Sequence, residues 1–494
     1  MKTFSRFLLP ALGGFVLTLS FAPYKLSLFA WVAFIPLFYS LSDEKYPFLK
    51  GFTMGITFFA TLLFWVPFSN VGSPILLQVV SGYFLLLLYL SCFFGLGGLL
   101  YKKLKKLNRI YLFPLVFSGL EFFRSLSSVF GFPWGSLGYS QGNLIHFVQF
   151  ASLGGIPLVT LWVVFINILL FILIDRYVIN KKSDKIYIYL LIGIIVFPFL
   201  YSEVIILRGY RSPGEITVTI LQPNVLPEEK RFGYRKMREE RIERMFLNAP
   251  KSDLYILPET ASPYSLTQSE GASSFFSSLA DDKNAYIIVG MPDFEVKNRK
   301  LYHYNGAALV DSTGVIDSYR KIFLVPFVER FPFDDVIPLF SKIQLGQGHF
   351  TPGQIYTVFD VGWGKFSVSI CYEAIFSQLI RIFVLRDVDF LVNITEDGWF
   401  GNTSAPYQHA QMAIFRSIEF RRPLLRSANT GVSLISDPFG RIIKRTTIYN
   451  EARITGEIPL VKGLTVYARI GDLFGWLFLL FVVGLVIYRN KLNA

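Results

Sequence analysis

The sequence predicts a polytopic α-helical membrane domain joined to a layered α/β domain, and three observations carry that expectation. The composition is 52% hydrophobic and 17% aromatic against 17% charged, with a mean hydropathy of +0.46, outside the range of an ordinary soluble domain. The apolar residues gather in separate runs close to the roughly 20 residues that cross a bilayer as a helix. Between the last two runs lies a stretch of different character, 211–462, with charges, turn signals and strand alternation. It is long enough to build its own core.

Eight runs are counted, at 4–20, 26–42, 51–68, 75–100, 109–126, 152–174, 186–203 and 467–488. They divide the chain into a membrane domain at 1–210 with seven transmembrane helices, a catalytic candidate at 211–462, and an eighth span with a tail at 463–494. The first run is read as a retained helix: "LSFAPYK" is a poor small-residue cleavage site, and a second apolar run follows at once. Short loops rich in lysine and arginine stay on the cytoplasmic side. With "MKTFSR" inside, the loops "SDEKYPFLK", "YKKLKKLNR" and "DRYVINKKSDK" and the tail "YRNKLNA" also fall inside, and 211–462 falls on the far side, tethered at both ends. The net charge of +13 then follows from topology and lipid headgroups. No nucleic-acid recognition motif or basic-aromatic pattern accompanies it.

Within 211–462, strands alternate with amphipathic helices. "EITVTILQPN" alternates as a strand and leads into "LPEEKRFGYRKMREERIERMFLNA", a charged helix with apolar residues at helical spacing. "SDLYILPET" is a strand that ends at Pro258–Glu259. "NAYIIVGMPDF", "NGAALVDSTGVIDSYRKIFLVPF", "KFSVSICYEAIF", "VDFLVNITEDGWFG" and "GVSLISDPFGRIIKRT" supply further strands and a hairpin, with helices near 270–281, 376–386 and 405–421. This pattern makes a layered α/β domain.

The chain has two cysteines. Cys92 lies in the apolar run "LSCFFGLGG" and reads as packing, and the unlike settings of the two argue against a disulfide framework. Cys371 ends the alternating run "KFSVSI". A lone cysteine is ordinarily a small buried hydrophobe, but strand ends are where a rigid sheet presents catalytic groups. Glu259 also follows a strand, and Lys321 follows a hairpin in "SYRKIFLVPF". Taken singly, each is ordinarily a solvated side chain. Together they suit an activated thiol: thiolate is the nucleophile, a carboxylate with a raised pKa takes its proton, and a cation stabilises thiolate and oxyanion. Of the four histidines, only His409 in "PYQHAQMAIF" offers an alternative Cys–His dyad, beside a plain packing role. The histidines are scattered and no second cysteine is at hand, so no metal is implied.

The order Glu259, Lys321, Cys371 in "LPET", "YRKIFLVPF" and "SICYEAIF" resembles the Glu–Lys–Cys triad of the nitrilase-like carbon–nitrogen hydrolase superfamily. The stretches "FGFPWGSLGYSQ", "PFVERFP", "NITEDGWFG" and "FRSIEFRRPLLRSANTGVSLISDPFG" are most similar to its membrane-embedded branch, the apolipoprotein N-acyltransferases. The resemblance covers nearly the whole chain. It implies an αββα sandwich, with Glu259 as general base, Lys321 as oxyanion and thiolate stabiliser, Cys371 as nucleophile, and Glu329 and Glu373 as supporting carboxylates. Phe232 stands where the family usually has tryptophan, and "PFVERFP" replaces the common "PFGEYVP".

The activity so implied is acyl transfer without a cofactor, in a bacterial inner membrane with the catalytic domain on the periplasmic side. A phospholipid would donate its acyl chain to Cys371, and the α-amine of a diacylglyceryl-cysteine at an apolipoprotein N-terminus would accept it; the expected state is a monomer. Phe232, Trp399, Phe400, Trp134 and Tyr139 are candidates for substrate contact, against the alternative of an interfacial aromatic belt. A membrane-anchored amide or nitrile hydrolase with the same triad is the rival reading. The absence of charges spread through the spans argues against a transport path, and the complete triad argues against a non-catalytic sensor.

Overall fold

The structure, a computed structural model of the chain, describes residues 5–69, 76–126, 130–179, 185–226, 229–230, 235–331, 334 and 349–488. The chain divides into two compact units, Met1–Pro67 with Leu77–Gly209 and Ile470–Ala494, and Phe68–Leu76 with Tyr210–Arg469.

The first unit is helical. Among the described residues, four helices are long and apolar enough to cross a membrane: Pro47–Phe68, Leu76–Lys106, Ala151–Val178 and Lys185–Arg208. Three shorter apolar helices are Arg6–Thr18, Ser27–Asp43 and Leu473–Ile487. Among the described residues, helix length thus marks four of the eight runs as long enough to span, and the count of eight is not confirmed. A hydropathy run measures apolar length only, and Pro36 and Pro114 in two of the runs restart the helix at its first turn. The run at 26–42 becomes a 3₁₀ turn, Ser27–Trp31, followed by the six-residue helix Ile35–Ser40; that at 109–126 becomes the helix Phe113–Arg124. Where helices touch, small residues let backbones meet: a Cβ on Gly14 would lie 2.3 Å from the Met54 carbonyl oxygen.

Charge does enter this unit. Glu121 and Arg124 are buried on one helix, 3.5 Å apart. Glu121 accepts from the Leu137 amide at 3.0 Å and the Thr160 hydroxyl at 2.8 Å. Arg124 donates to the Trp134 carbonyl at 2.9 Å and the Ser136 hydroxyl at 3.2 Å. The pair thus satisfies the backbone of the irregular stretch around Trp134, as an interior without water requires.

The second unit holds two six-stranded sheets. The first has the order β12-β1-β2-β3-β4-β5, with β1 at Glu215–Gln222, β2 at Leu254–Ile256, β3 at Tyr286–Lys297, β4 at Lys300–Asp311, β5 at Gly314–Arg320 and β12 at Ala452–Pro459. The second runs β11-β10-β9-β8-β7-β6, with β6 at Phe359–Asp360, β7 at Lys365–Ile370, β8 at Phe390–Thr395, β9 at Leu424–Ala428, β10 at Leu434–Ser436 and β11 at Ile442–Arg445. Strands β1, β2 and β3 run parallel, as do β7, β8 and β9. Parallel strands buried on both faces read as near-continuous apolar runs, and every residue of "FLVNIT" in β8 is buried.

Helices Arg235–Leu247 and Glu270–Lys283 cover the first sheet, where Ile242, Phe246, Phe276 and Leu279 pack on Tyr255, Ile287 and Val289. Helices Ser377–Val384 and Ala405–Phe420 belong with the second. The sheets meet face to face: the Ser427 hydroxyl on β9 donates to the carbonyls of Leu221 on β1 and Ile256 on β2, each at 3.3 Å. The layers are α, β, β, α, the sandwich that the resemblance implies.

Candidate active site

Strands β2 and β5 deliver Glu259 and Lys321 from one sheet, and β7 delivers Cys371 from the other. Glu259 follows β2 and Pro258 and is buried. Its approach to β3 demands glycine at 290, where a Cβ would lie 2.3 Å from the Pro258 carbonyl oxygen. Oε1 accepts from Asn305 Nδ2 at 2.7 Å and Oε2 from the Glu396 amide at 2.7 Å. Burial pushes this carboxyl up, Lys321 opposes the rise, and Glu329 adds to it. A carboxylate so raised is a stronger base toward a thiol than a solvated one.

Lys321 is the residue after β5 and is buried. Its Nζ donates to Glu329 Oε1 at 2.9 Å and stands 4.0 Å from Glu259 Oε1. Burial alone would depress its pKa, but the charges of Glu329, Glu259 and Cys371 outweigh that and hold it above the usual lysine range. The side chain stays cationic. Glu329, also buried, accepts from Asn305 Nδ2 at 3.1 Å and from the Val325 amide at 2.8 Å.

Cys371 sits at the elbow where β7 becomes a 3₁₀ turn, with φ of 53° and partial exposure. Left-handed backbone at a non-glycine residue costs on the order of 1 to 3 kcal/mol and persists only where its surroundings enforce it. Here Asn393 Nδ2 and His409 Nε2 both donate to its carbonyl, at 3.4 and 3.2 Å. Burial pushes the thiol up, Glu259 adds to the rise, and Lys321 opposes it. At rest the group is a thiol, so attack requires a base.

Glu373 ties the two sheet ends together. Fully buried, it accepts at Oε1 from the Tyr319 hydroxyl at 2.8 Å and the amides of Ile322 and Phe323 at 2.7 and 3.0 Å, and at Oε2 from the Ile370 amide at 2.7 Å. One carboxylate thereby fixes the segment after Lys321 against the residue before Cys371.

His409 faces the Cys371 carbonyl and not its sulfur, which leaves a Cys–His dyad without geometric support. The carbonyl can only accept, so Nε2 carries a ring proton; Nδ1 lies between Arg426 Nη2 at 3.0 Å and Asp397 Oδ1 at 3.1 Å. Burial and the Arg426 charge depress the His409 pKa. Asp397 takes both oxygens to Arg426 Nη2, at 3.2 and 2.9 Å; burial opposes its ionisation, but Arg426 and His409 hold its carboxyl below the usual range. Asn305, Asn393, Asp397 and Arg426 escape a search for strand ends, whereas Glu396 directly follows β8. The stretches "NITEDGWFG" and "RSAN" that carry four of these five enter only through the family resemblance.

Trp399 and Phe400 are part-exposed on the turn Asp397–Phe400, and the Phe400 ring meets His409 edge-on at 6.3 Å. Trp134 and Tyr139 are buried in the helical unit, Trp134 against Trp65 at 5.2 Å. Phe232 lies outside the described residues. Among the described residues, no group of three or more His, Cys, Asp or Glu side chains is placed to hold a metal ion.

Comparison with known proteins follows the same two-part division. Residues 13–169 match the apolipoprotein N-acyltransferase N-terminal domain, and residues 217–463 match the carbon-nitrogen hydrolase domain. The apolipoprotein N-acyltransferase of Geobacter metallireducens is 32% identical over 95% of this chain and 92% of its own length. That of Haemophilus influenzae is 28% identical over 100% of this chain and 97% of its own. A nitrilase-superfamily structure from Saccharomyces cerevisiae covers 53% of this chain and 96% of its own, at 21% identity and a TM-score of 0.39. With its apolar helices, the chain is a membrane protein; it is an acyltransferase built on a carbon–nitrogen hydrolase domain, and it belongs to the apolipoprotein N-acyltransferase family.

Proposed function

We propose that Glu259, Lys321 and Cys371 carry out a two-step transfer of a fatty acyl chain from a membrane phospholipid to the N-terminal amine of a diacylglyceryl-apolipoprotein. The observation that supports it most is the buried lysine held between two carboxylates beside a thiol that burial keeps protonated. In the first step Glu259 takes the thiol proton, sulfur bonds to the ester carbonyl carbon, and Lys321 pairs with the oxyanion. The carbon–oxygen bond then breaks, Glu259 returns the proton to the leaving alkoxide, and a lysophospholipid departs from a thioester. In the second step the amine attacks the thioester carbonyl, the carbon–sulfur bond breaks, and the amine proton passes through Glu259 to the Cys371 sulfur. A thioester suits this sequence because amines attack it faster than water does.

Glu329 and Glu373 support the site without reacting, and the part-exposed Trp399 and Phe400 are the aromatic groups offered to substrate. In this reading Trp134 and Tyr139 pack the membrane part. The catalytic segment 211–462 lies on the periplasmic side of a bacterial inner membrane, between membrane segments 1–210 and 463–494, in a monomer. The names of the relatives support the acceptor, and the lysine-rich short loops support the orientation.

The test is mass spectrometry of the purified protein after incubation with phospholipid vesicles. A fatty acyl group on Cys371, removed by neutral hydroxylamine and discharged by a diacylglyceryl-peptide to give an N-acyl peptide, is the expected result. Discharge to free fatty acid with the peptide left unmodified would replace acyl transfer by hydrolysis.

A further inference from the structure

The hairpin of β3 and β4 runs well beyond the part of the sheet that builds the site. Strand β3 is parallel to β2, with Ile256 opposite Ile288, and Glu259 rests against Gly290. The strand then continues to Lys297, seven residues farther in the direction in which β2 presents Glu259. At about 3.3 Å per residue this reaches roughly 20 Å past the site along the strand. Asn298 and Arg299, with φ of 51° and 59°, close the hairpin in a tight two-residue turn, with Lys297 paired to Lys300.

The projecting end is both apolar and basic. Phe294 pairs with His303 and Val296 with Leu301, so the four share one face. Val296 is 70% exposed, Leu301 48% and Phe294 38%. Lys297 and Lys300 pair on the opposite face of the hairpin and Arg299 lies in its turn, and residues 296–303 contain no acidic side chain. The base of the hairpin is clamped: Arg320 pairs with Asp293 at 2.7 Å and Glu295 at 2.8 Å and lies over the Tyr304 ring at 4.1 Å. The exposed apolar group is therefore held out on a rigid stem.

We propose that this hairpin tip docks on an anionic phospholipid surface, with Val296, Leu301 and Phe294 entering the interface and Lys297, Arg299 and Lys300 pairing with lipid phosphates. An apolar face backed by lysine and arginine is the chemistry of interfacial binding, and clustered basic residues favour anionic headgroups. A docked tip would hold the active-site end of the sheets toward lipid.

The test places an environment-sensitive fluorophore at Val296→Cys in a full chain carrying Cys92→Ala and Cys371→Ala, reconstituted in vesicles of phosphatidylethanolamine and phosphatidylglycerol. Expected are a blue-shifted emission, quenching by lipids spin-labelled near the headgroup, and protection from aqueous iodide. The same label at Lys236→Cys, a site whose side chain is 91% exposed, should stay in water. Adding Lys297→Gln, Arg299→Gln and Lys300→Gln, or omitting phosphatidylglycerol, should weaken lipid quenching by on the order of tenfold. Emission typical of water in both vesicle types overturns the proposal. So does a shift that appears only when a lipopeptide is added, which would make the tip a protein-binding surface. No turnover is read, so failure here leaves the acyl-transfer reading standing.

Discussion

The Asn305 side-chain amide donates to Glu259 at 2.7 Å and, with the same nitrogen, to Glu329 at 3.1 Å. Two buried carboxylates thus share one neutral donor as well as one lysine. The bond to Glu259 favours its charged form. Asn305→Leu should therefore raise the Glu259 pKa further. Because the base works deprotonated, activity is lost as pH falls through that pKa, so the acid limb of Cys371 acylation should move to higher pH. A pH profile of acyl-enzyme formation, with melting temperature as control, measures it; an unchanged acid limb would show that Asn305 does not tune the base.

Glu259 and the thiol act on each other in a way that separates reactivity from catalysis. The negative charge of Glu259 pushes the Cys371 thiol up. Glu259→Gln removes that charge, so the thiol pKa should fall and alkylation by iodoacetamide at pH 7 to 8 should speed up. Acylation by phospholipid should nevertheless drop by a factor of about 100 or more, because the proton acceptor is gone. Slower alkylation together with slower acylation would point to a disturbed fold.

Lys321 stands 2.9 Å from Glu329 and 4.0 Å from Glu259, all three buried. Lys321→Met leaves the carboxylates unpaired, at a cost of about 3 kcal/mol or more. Removing the oxyanion partner should also lower acylation by a factor of about 100 to 1,000. The pair Lys321→Met with Glu329→Gln should recover part of the stability in a denaturation curve and none of the acylation. Recovery of both would make Lys321 purely structural.

The sequence exposes groups that sit at strand ends, because a change from alternation to turn is a local signal. Glu259, Lys321 and Cys371 each mark such a change, and the structure brings them together. Asn305 carries no such signal. It lies inside "LYHYNGAALVD" as one polar residue of an alternating strand, and its position at the site follows from pairing with Pro292 on β3 and from β5 on its other edge. Arg426 and His409 meet only because β9 and the helix Ala405–Phe420 pack around Asp397. Layer order was legible in the alternation of strand and helix patterns. The helix lengths of the membrane part were not, since Pro36 and Pro114 interrupt runs that hydropathy reads as continuous.

Strand β12 pairs with β1 along its whole length, from Glu215 opposite Pro459 to Gln222 opposite Ala452. The first sheet is therefore completed by one of the last segments of the catalytic unit to leave the ribosome. A nascent chain that already carries Glu259, Lys321 and Cys371 still lacks the edge of the sheet. Gln222, at the end of β1, also waits for late residues, donating to the carbonyls of Thr447 and Asn450 and accepting from Ser433 and Thr446. Contacts between such distant parts of a chain form late. Synthesis therefore delivers Glu259, Lys321 and Cys371 well before the edge of the first sheet can close, and a chain arrested before residue 452 should leave β1 without its outer partner.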